Sequence, residues 1–482
     1  MRGARMRSSC SWRRSSSDSA VLFNSLTFLF LFLPITYAVF WRLDSKTQRY
    51  VWLAVTGYVF YSFWNYKFCS LMLWSTLVSY LAGLGLLRWR DPGRRRLCLV
   101  LPVVMDLALL GVFKYTNFAL DNVNGVSTWL GHPAHLPLWD IVLPVGISFY
   151  TFHTITYIVD AYRGVITPTR NFFEFASYVS LFPQLVAGPI VRFRQIERDL
   201  ENIDHAERRA NLNIGWSFFL IGLIKKVLLA DTIAAVINPA LARYSDLSTV
   251  DAWMCMLGYS YQLYFDFSGY SDMAVGLGYL FGLRLPQNFN SPYRATDIAD
   301  FWRRWHISLS SFLRDYVYIP LGGNRGARWM VYRNLMITML LGGLWHGASW
   351  TFVVWGGYHG LQLVLYQATR GSWDRLPTSA RRVATFGVVV VGWVFFRSET
   401  FEMATSLLTR MFSWHAGSSL VGGPMLLGVL IVAAVAAHWG PNTFELPHRW
   451  SPSYVAGFAL LLGVCLLFLY GAPSSPFLYF QF

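Results

Sequence analysis

The sequence predicts an all-α, polytopic membrane protein of about eleven transmembrane helices, with further re-entrant or interfacial amphipathic helices. Three observations carry that prediction. Only 13% of the 482 residues are charged and 55% are hydrophobic, against about 25% charged in soluble domains. Apolar runs of roughly 20 residues, the length a bilayer span needs, recur along the whole chain. Several of those runs hold Pro, Gly or polar side chains, which lipid tolerates only where neighbouring protein or water satisfies the backbone. Some helices are therefore expected to be broken, or to line a cavity.

In chain order, a tail at 1–20 carries five Arg and seven Ser. Apolar runs then lie near 21–41, 50–65, 68–87, 97–113, 141–159, 172–190, 212–237, 252–282, 334–367, 383–396, 424–440 and 453–471. The loop at 42–49 holds Arg42, Lys46 and Arg49 against Asp44, and the loop at 88–96 holds five Arg against Asp91. Two apolar segments separate these loops, so both fall on one side, and the positive-inside rule makes that side cytoplasmic. The first span then starts outside, where a basic tail is out of place. The tail has the composition of a transit or signal n-region, but the charge argument favours translation from Val21, with 21–482 as one membrane-embedded domain and its core at about 141–367. Peptide mass spectrometry that detected residues 1–20 in the native organism would contradict that start.

Residues 296–320, TDIADFWRRWHISLSSFLRDYVYIP, form the most informative polar stretch. Thr296 or Asp297 is a good N-cap. Ile298, Phe301, Trp302, Trp305, Leu309, Phe312, Leu313 and Tyr316 recur at helical spacing, while Arg303, Arg304, Ser310, Ser311 and Arg314 fall mostly on the other face. Pro320 and the Gly322-Gly323 pair stop the pattern. The expectation is one amphipathic helix of about six turns, too polar to span, at the interface or lining a polar recess. His306 follows Trp305 at the edge of its apolar face. It reads equally well as an interfacial histidine bonded to a backbone carbonyl.

His346 stands in GGLWHGASW, between LMITMLL and TFVVWGGYHG. An ionisable residue deep in a span is costly, and is a functional candidate for that reason. Histidine, with an ordinary pKa of about 6.5, can take and return a proton near neutral pH. Gly342, Gly343, Gly347, Ala348 and Ser349 leave room for a second helix or a ligand chain. The alternative is a packed histidine bonded across helices. Asp266, Asp272, His153 and His359 also lie in apolar settings, and helix packing explains each of them.

Other chemistries find no support. Five scattered cysteines without C-x-x-C spacing suggest neither a disulfide framework nor a metal site. No G-x-S-x-G, H-E-x-x-H or P-loop occurs. The net charge of +15 fits basic cytoplasmic loops and anionic lipid head groups, not nucleic acid.

Several ordered segments resemble the membrane-bound O-acyltransferase family. They are LFNSLTFLFLFLPI near 22, LPVGISFYTFHTITYIVDAYRG at 143–164, FPQLVAGPIVR at 182–192, YFDFSGYSDMAVGLGYLFG at 264–282, NFNSPYRATDIADFWRRWHISLSSFLRDYVYIPLGGNRG at 288–326, and RNLMITMLLGGLWHGASWTFVVWGGYHG at 333–360. The likeness is to the bacterial branch that acetylates alginate, peptidoglycan or cellulose, or transfers D-alanine to teichoic acids. It covers most of the chain from 21 to about 400.

The resemblance implies that His346, in L-W-H-G, is the active-site histidine and His306 its companion. It also implies a central funnel that meets a cytoplasmic donor and an outer acceptor near these groups. The donor would be acetyl-CoA or another phosphopantetheine thioester, with no permanently bound cofactor and no metal. Arg303, Arg304 and Arg314 are candidates for CoA phosphates, or else for lipid head groups. Trp345 and Trp350 are candidate walls for the acyl chain. The expected setting is the bacterial inner membrane, with separate extracytoplasmic acetyltransferase partners and an exported polysaccharide, alginate foremost, as the product. Two other classes stay open on the residues alone: a transporter of acyl groups or lipid-linked sugars, and an export subunit without chemistry.

Overall fold

The structure, a computed structural model, describes residues 21–203, 205, 207–417, 421–471 and 477–478. The basic tail and its expected start at Val21 lie outside the described residues, apart from Val21 itself. Among the described residues the chain is helical, with no β-strand.

The order begins with α1 (Leu33–Phe40, continuing a π-helical Phe28–Phe32), α2 (Lys46–Asn65), α3 (Cys69–Arg88) and α4 (Pro92–Leu110). A π-helical turn, Gly111–Tyr115, joins α4 to α5 (Thr116–Trp129). Next come α6 (Ile147–Tyr162), α7 (Phe172–Val179), α8 (Phe182–Leu185) and α9 (Phe193–Glu201). Helices α10 (Arg208–Ile224), α11 (Thr232–Leu241) and α12 (Thr249–Leu280) follow. The central block holds α13 (Ile298–Arg304) and α14 (Ile307–Leu313). The chain ends with α15 (Arg328–His346), α16 (Trp350–Trp373), α17 (Thr378–Arg397), α18 (Phe401–Phe412), α19 (Gly423–His438) and α20 (Pro452–Gly471).

Four helical stretches among the described residues are long and apolar enough to cross a bilayer: Lys46–Arg88, Pro92–Trp129, Thr378–Arg397 and Pro452–Gly471. The other apolar runs form helices that are shorter, interrupted or laden with buried polar groups. The run at 172–190 folds as the two short helices α7 and α8, with Pro183 at the start of the second. The run at 334–367 is not one span. Extended backbone at Gly347 and Ser349 breaks it, and α15 and α16 pack against each other as an antiparallel hairpin.

Glycine explains how closely that hairpin packs. A Cβ on Gly343 would stand 2.3 Å from the Phe352 carbonyl oxygen, and one on Gly356 would stand 2.4 Å from that of Met339. Small residues allow such backbone contact between helices. Helices α10 and α12 cross in the same way, and the segment after α10 adds ion pairs. Lys226 Nζ lies 2.6 Å from Asp266 and 2.8 Å from Asp231, and Lys225 lies 2.6 Å from Asp272. Asp266 and Asp272 thus act as interhelical clamps, as the packing reading expects. A further buried carboxylate, Asp106 in α4, accepts from Ser75 of α3 at 2.7 Å and from Thr154 of α6 at 2.6 Å.

Candidate active site

The expected six-turn amphipathic helix is in fact two short helices with a break at His306. Its backbone is left-handed there, with φ +44° and ψ +56°. That conformation is uncommon outside glycine, so something must hold it. The segment before α13 does so. Asn290 N–H donates to the Arg304 carbonyl at 3.0 Å, and Ile307 N–H donates to the Asn288 carbonyl at 2.9 Å. The block is packed inside the protein at this point: Trp305 and His306 are fully buried.

Asn288 also sets the state of the imidazole. Its side-chain amide donates to Ser271 Oγ at 3.2 Å, which fixes Oδ1 as the acceptor. That oxygen receives Ser308 N–H at 3.2 Å and Ser308 Oγ at 2.9 Å, and His306 Nδ1 lies 3.2 Å away. The network assigns the proton to Nδ1 and leaves the lone pair on Nε2.

His346 is the last residue of α15, at the end of a helix and not in mid-span. It is buried, with its ring among Trp345, Trp355 and Phe396 at centroid distances of 4.8, 5.0 and 5.2 Å. Trp345 joins the two histidines, because its ring also lies 6.1 Å from that of His306. It packs on Phe149 and Phe152 of α6 as well.

A polar cleft opens on the far side of Ser308. It has a volume of about 170 Å³, and its walls include Arg192, Arg194, Ser308, Ser311, Arg314 and Asp315. Asp315 bridges Arg192 at 2.8 Å and Arg314 at 2.7 Å, so two guanidiniums share one carboxylate, and Arg194 adds a third to the cleft wall. Ser308 is shared between the cleft wall and the Asn288–His306 network.

The remaining candidates fall elsewhere. Arg304 pairs with Asp300 at 3.0 Å and donates to the Asn290 carbonyl. Arg303 is exposed and lies 3.6 Å from Asp300. Only Arg314 of the three predicted arginines reaches the cleft. Trp350 is about half exposed, and its indole N–H donates to Asn122 at 2.7 Å, away from the pair. His359 is buried behind Trp355 at 5.0 Å, in a box of aromatic rings. His153 is buried against Tyr178. The sequence reading missed Asn288, Arg192 and Arg194. The first stands in NFNSPYR, whose two asparagines before a proline are a usable signal for a built turn. Among the described residues, no group of three His, Cys, Asp or Glu side chains is arranged to hold a metal ion.

The comparisons with known proteins agree with these motifs. The sequence model of the membrane-bound O-acyltransferase family matches residues 165–401. A protein named "Probable alginate O-acetylase AlgI" from Azotobacter vinelandii is 46% identical over 400 residues, covering 82% of this chain and 78% of its own. Its namesake from Pseudomonas putida is 41% identical over 493 residues, covering 96% and 100%. The peptidoglycan O-acetyltransferase of Helicobacter pylori is 36% identical over 520 residues, covering 96% and 98%. The chain belongs to the membrane-bound O-acyltransferase family. It is a membrane acyltransferase, and the transporter and export-subunit readings fall with that membership.

Proposed function

We propose that this acyltransferase takes an acetyl group from a cytoplasmic thioester and passes it to a hydroxyl acceptor that approaches from the outer face. The end product would be an O-acetylated exported polysaccharide, and the names of the similar proteins favour alginate, with peptidoglycan as the alternative. The observation that carries the reading is the juxtaposition of two buried histidines, joined by Trp345, with a basic cleft that ends at Ser308.

Charge and helix geometry support the proposed sidedness. Arg95, in the basic first turn of α4, lies over the Tyr162 ring at the end of α6, and the next residue, Arg163, lies over Tyr316 beside the cleft. The cleft thus shares the end that the positive-inside rule makes cytoplasmic. Phe149, thirteen residues before Tyr162 on α6, packs on Trp345. A row of packed rings, Tyr316, Phe312, Phe152 and Trp345, links the cleft to the pair. The chain would then be a multi-pass protein of the bacterial inner membrane. Its donor end faces the cytoplasm, and separate extracytoplasmic proteins complete transfer to the polymer.

The chemistry needs a base. His346 takes the acceptor's hydroxyl proton as the oxygen attacks the thioester carbonyl. A C–O bond forms, the C–S bond breaks, and the proton passes to the departing thiolate. General-base help of this kind is worth about 10²–10⁴-fold. His306, across the Trp345 ring from His346, is the companion group that would help to hold the substrate in place. Arg192, Arg194 and Arg314 suit the phosphates of a phosphopantetheine donor, since guanidinium binds phosphate oxygens in a fixed fork.

Inverted membrane vesicles from the native host, supplied with labelled acetyl-CoA, test the donor. Arg192→Ala and Arg314→Ala should each raise the donor KM several-fold with kcat little changed. Wild-type vesicles that transfer no label from acetyl-CoA would overturn this choice of donor.

A further inference from the structure

Helix α15 ends in a buried place, and its last carbonyls need partners. The final four carbonyls of any helix lack intrahelical donors, and leaving them unsatisfied in an apolar setting is costly. In α15 these belong to Gly343, Leu344, Trp345 and His346. The Gly347 N–H donates back to the Gly343 carbonyl at 3.4 Å. The other three are satisfied from one remote place. Tyr115 Oη donates to the Leu344 carbonyl at 2.7 Å. Lys114 Nζ donates to the carbonyls of both Trp345 and His346, the latter at 3.1 Å.

Two neighbouring residues on one π-helical turn therefore hold the carbonyls of three consecutive residues, the last of which is His346. The turn is itself unusual. A π-turn inserts one residue into a helix, and such insertions are often found at functional sites. Gly111–Tyr115 interrupts an otherwise long helical run between α4 and α5. Lys114 also lies 5.9 Å from the centre of the Trp345 ring, the ring that links His346 to His306. A cation at a helix C-terminus complements the helix dipole, so charge and hydrogen bonding act together here.

We propose that Lys114, with Tyr115, is a positioning residue for the acyl-transfer step: it fixes the end of α15 and so aims the His346 ring. The proposal depends on the reading of His346 as the base. A misplacement of a reacting group by about 1 Å can cost about 10²-fold in rate, and Lys114 Nζ donates to the carbonyl of His346 itself.

The test uses the full-length protein in inverted host vesicles, with acetyl-CoA as donor. Lys114→Met should lower kcat roughly 10- to 100-fold and leave the KM for acetyl-CoA within about two-fold, since the donor cleft is untouched. Lys114→Arg should recover most of the rate. A second readout needs no turnover: the rate at which diethyl pyrocarbonate modifies His346, followed by peptide mass spectrometry, should change in Lys114→Met and return in Lys114→Arg. If Lys114→Met is not recovered folded, Tyr115→Phe decides, because it deletes one hydroxyl; kcat should fall at least about three-fold with KM unchanged. A wild-type kcat and unchanged His346 reactivity in the folded variants would overturn the proposal. His346→Gln separates the two ideas. A dead His346→Gln with a fully active Lys114→Met sinks the positioning role alone. An active His346→Gln sinks the reading of the base, whatever Lys114 does.

Discussion

At His306 the backbone sits at φ +44°, and the residues that hold it there are distant in sequence. Helical spacing continues smoothly from Ile298 through Leu313, so nothing in the periodicity marks the break. The hydrogen bonds from Asn288 and Asn290 decide it, and they become visible only once the chain is folded. The same applies to Lys114 and His346, 232 residues apart. Small residues and aromatic neighbours around an imidazole are visible locally, so both histidines could be picked out of the sequence as candidates. Asn288→Ala should release Nδ1 of His306 and leave Ser308 without its acceptor. We expect a loss of about 1–3 kcal/mol in stability and a drop in acetyl transfer larger than that loss explains. Thermal unfolding in detergent beside transfer in vesicles checks both. Full activity in Asn288→Ala would remove Asn288 from the site.

Among the elements, the helix pairs are set by glycine contact and by buried charge. Gly343 was legible as a small residue that leaves room for a second helix, whereas its counterpart Gly356 was not singled out. They let α15 and α16 fold back on each other, which turns an expected single span into a hairpin and puts His346 at its bend. The Lys226–Asp266 pair is fully buried, and removing one partner of such a pair costs about 3–5 kcal/mol. Lys226→Met should therefore lower the unfolding midpoint sharply. Adding Asp266→Leu should restore part of it, since an apolar pair replaces a stranded carboxylate. If the single variant unfolds like wild type, the clamp contributes nothing.

Across the whole molecule the apolar composition made the membrane class plain. Four helical stretches among the described residues are long and apolar enough to cross on that ground alone, while α12 carries Asp251, Asp266 and Asp272 inside a long apolar run and other runs break at Gly or Pro. In the proposed orientation the Arg194 cleft faces the cytoplasm and Trp350 lies towards the outer face. Single cysteines at these two positions, with the native cysteines replaced, should react with an impermeant maleimide from opposite sides. Arg194→Cys should label in inverted vesicles and Trp350→Cys in intact spheroplasts. Labelling of both from one side would contradict this orientation.

The most direct test of the central claim is ester-linked acetate on exopolysaccharide from a host carrying His346→Gln, measured by NMR with membrane levels followed by blot. Acetate lost at normal protein levels is the predicted result, because the base that frees the acceptor oxygen is gone. Acetate retained at wild-type levels would contradict it and leave His346 as a packing residue at the end of α15.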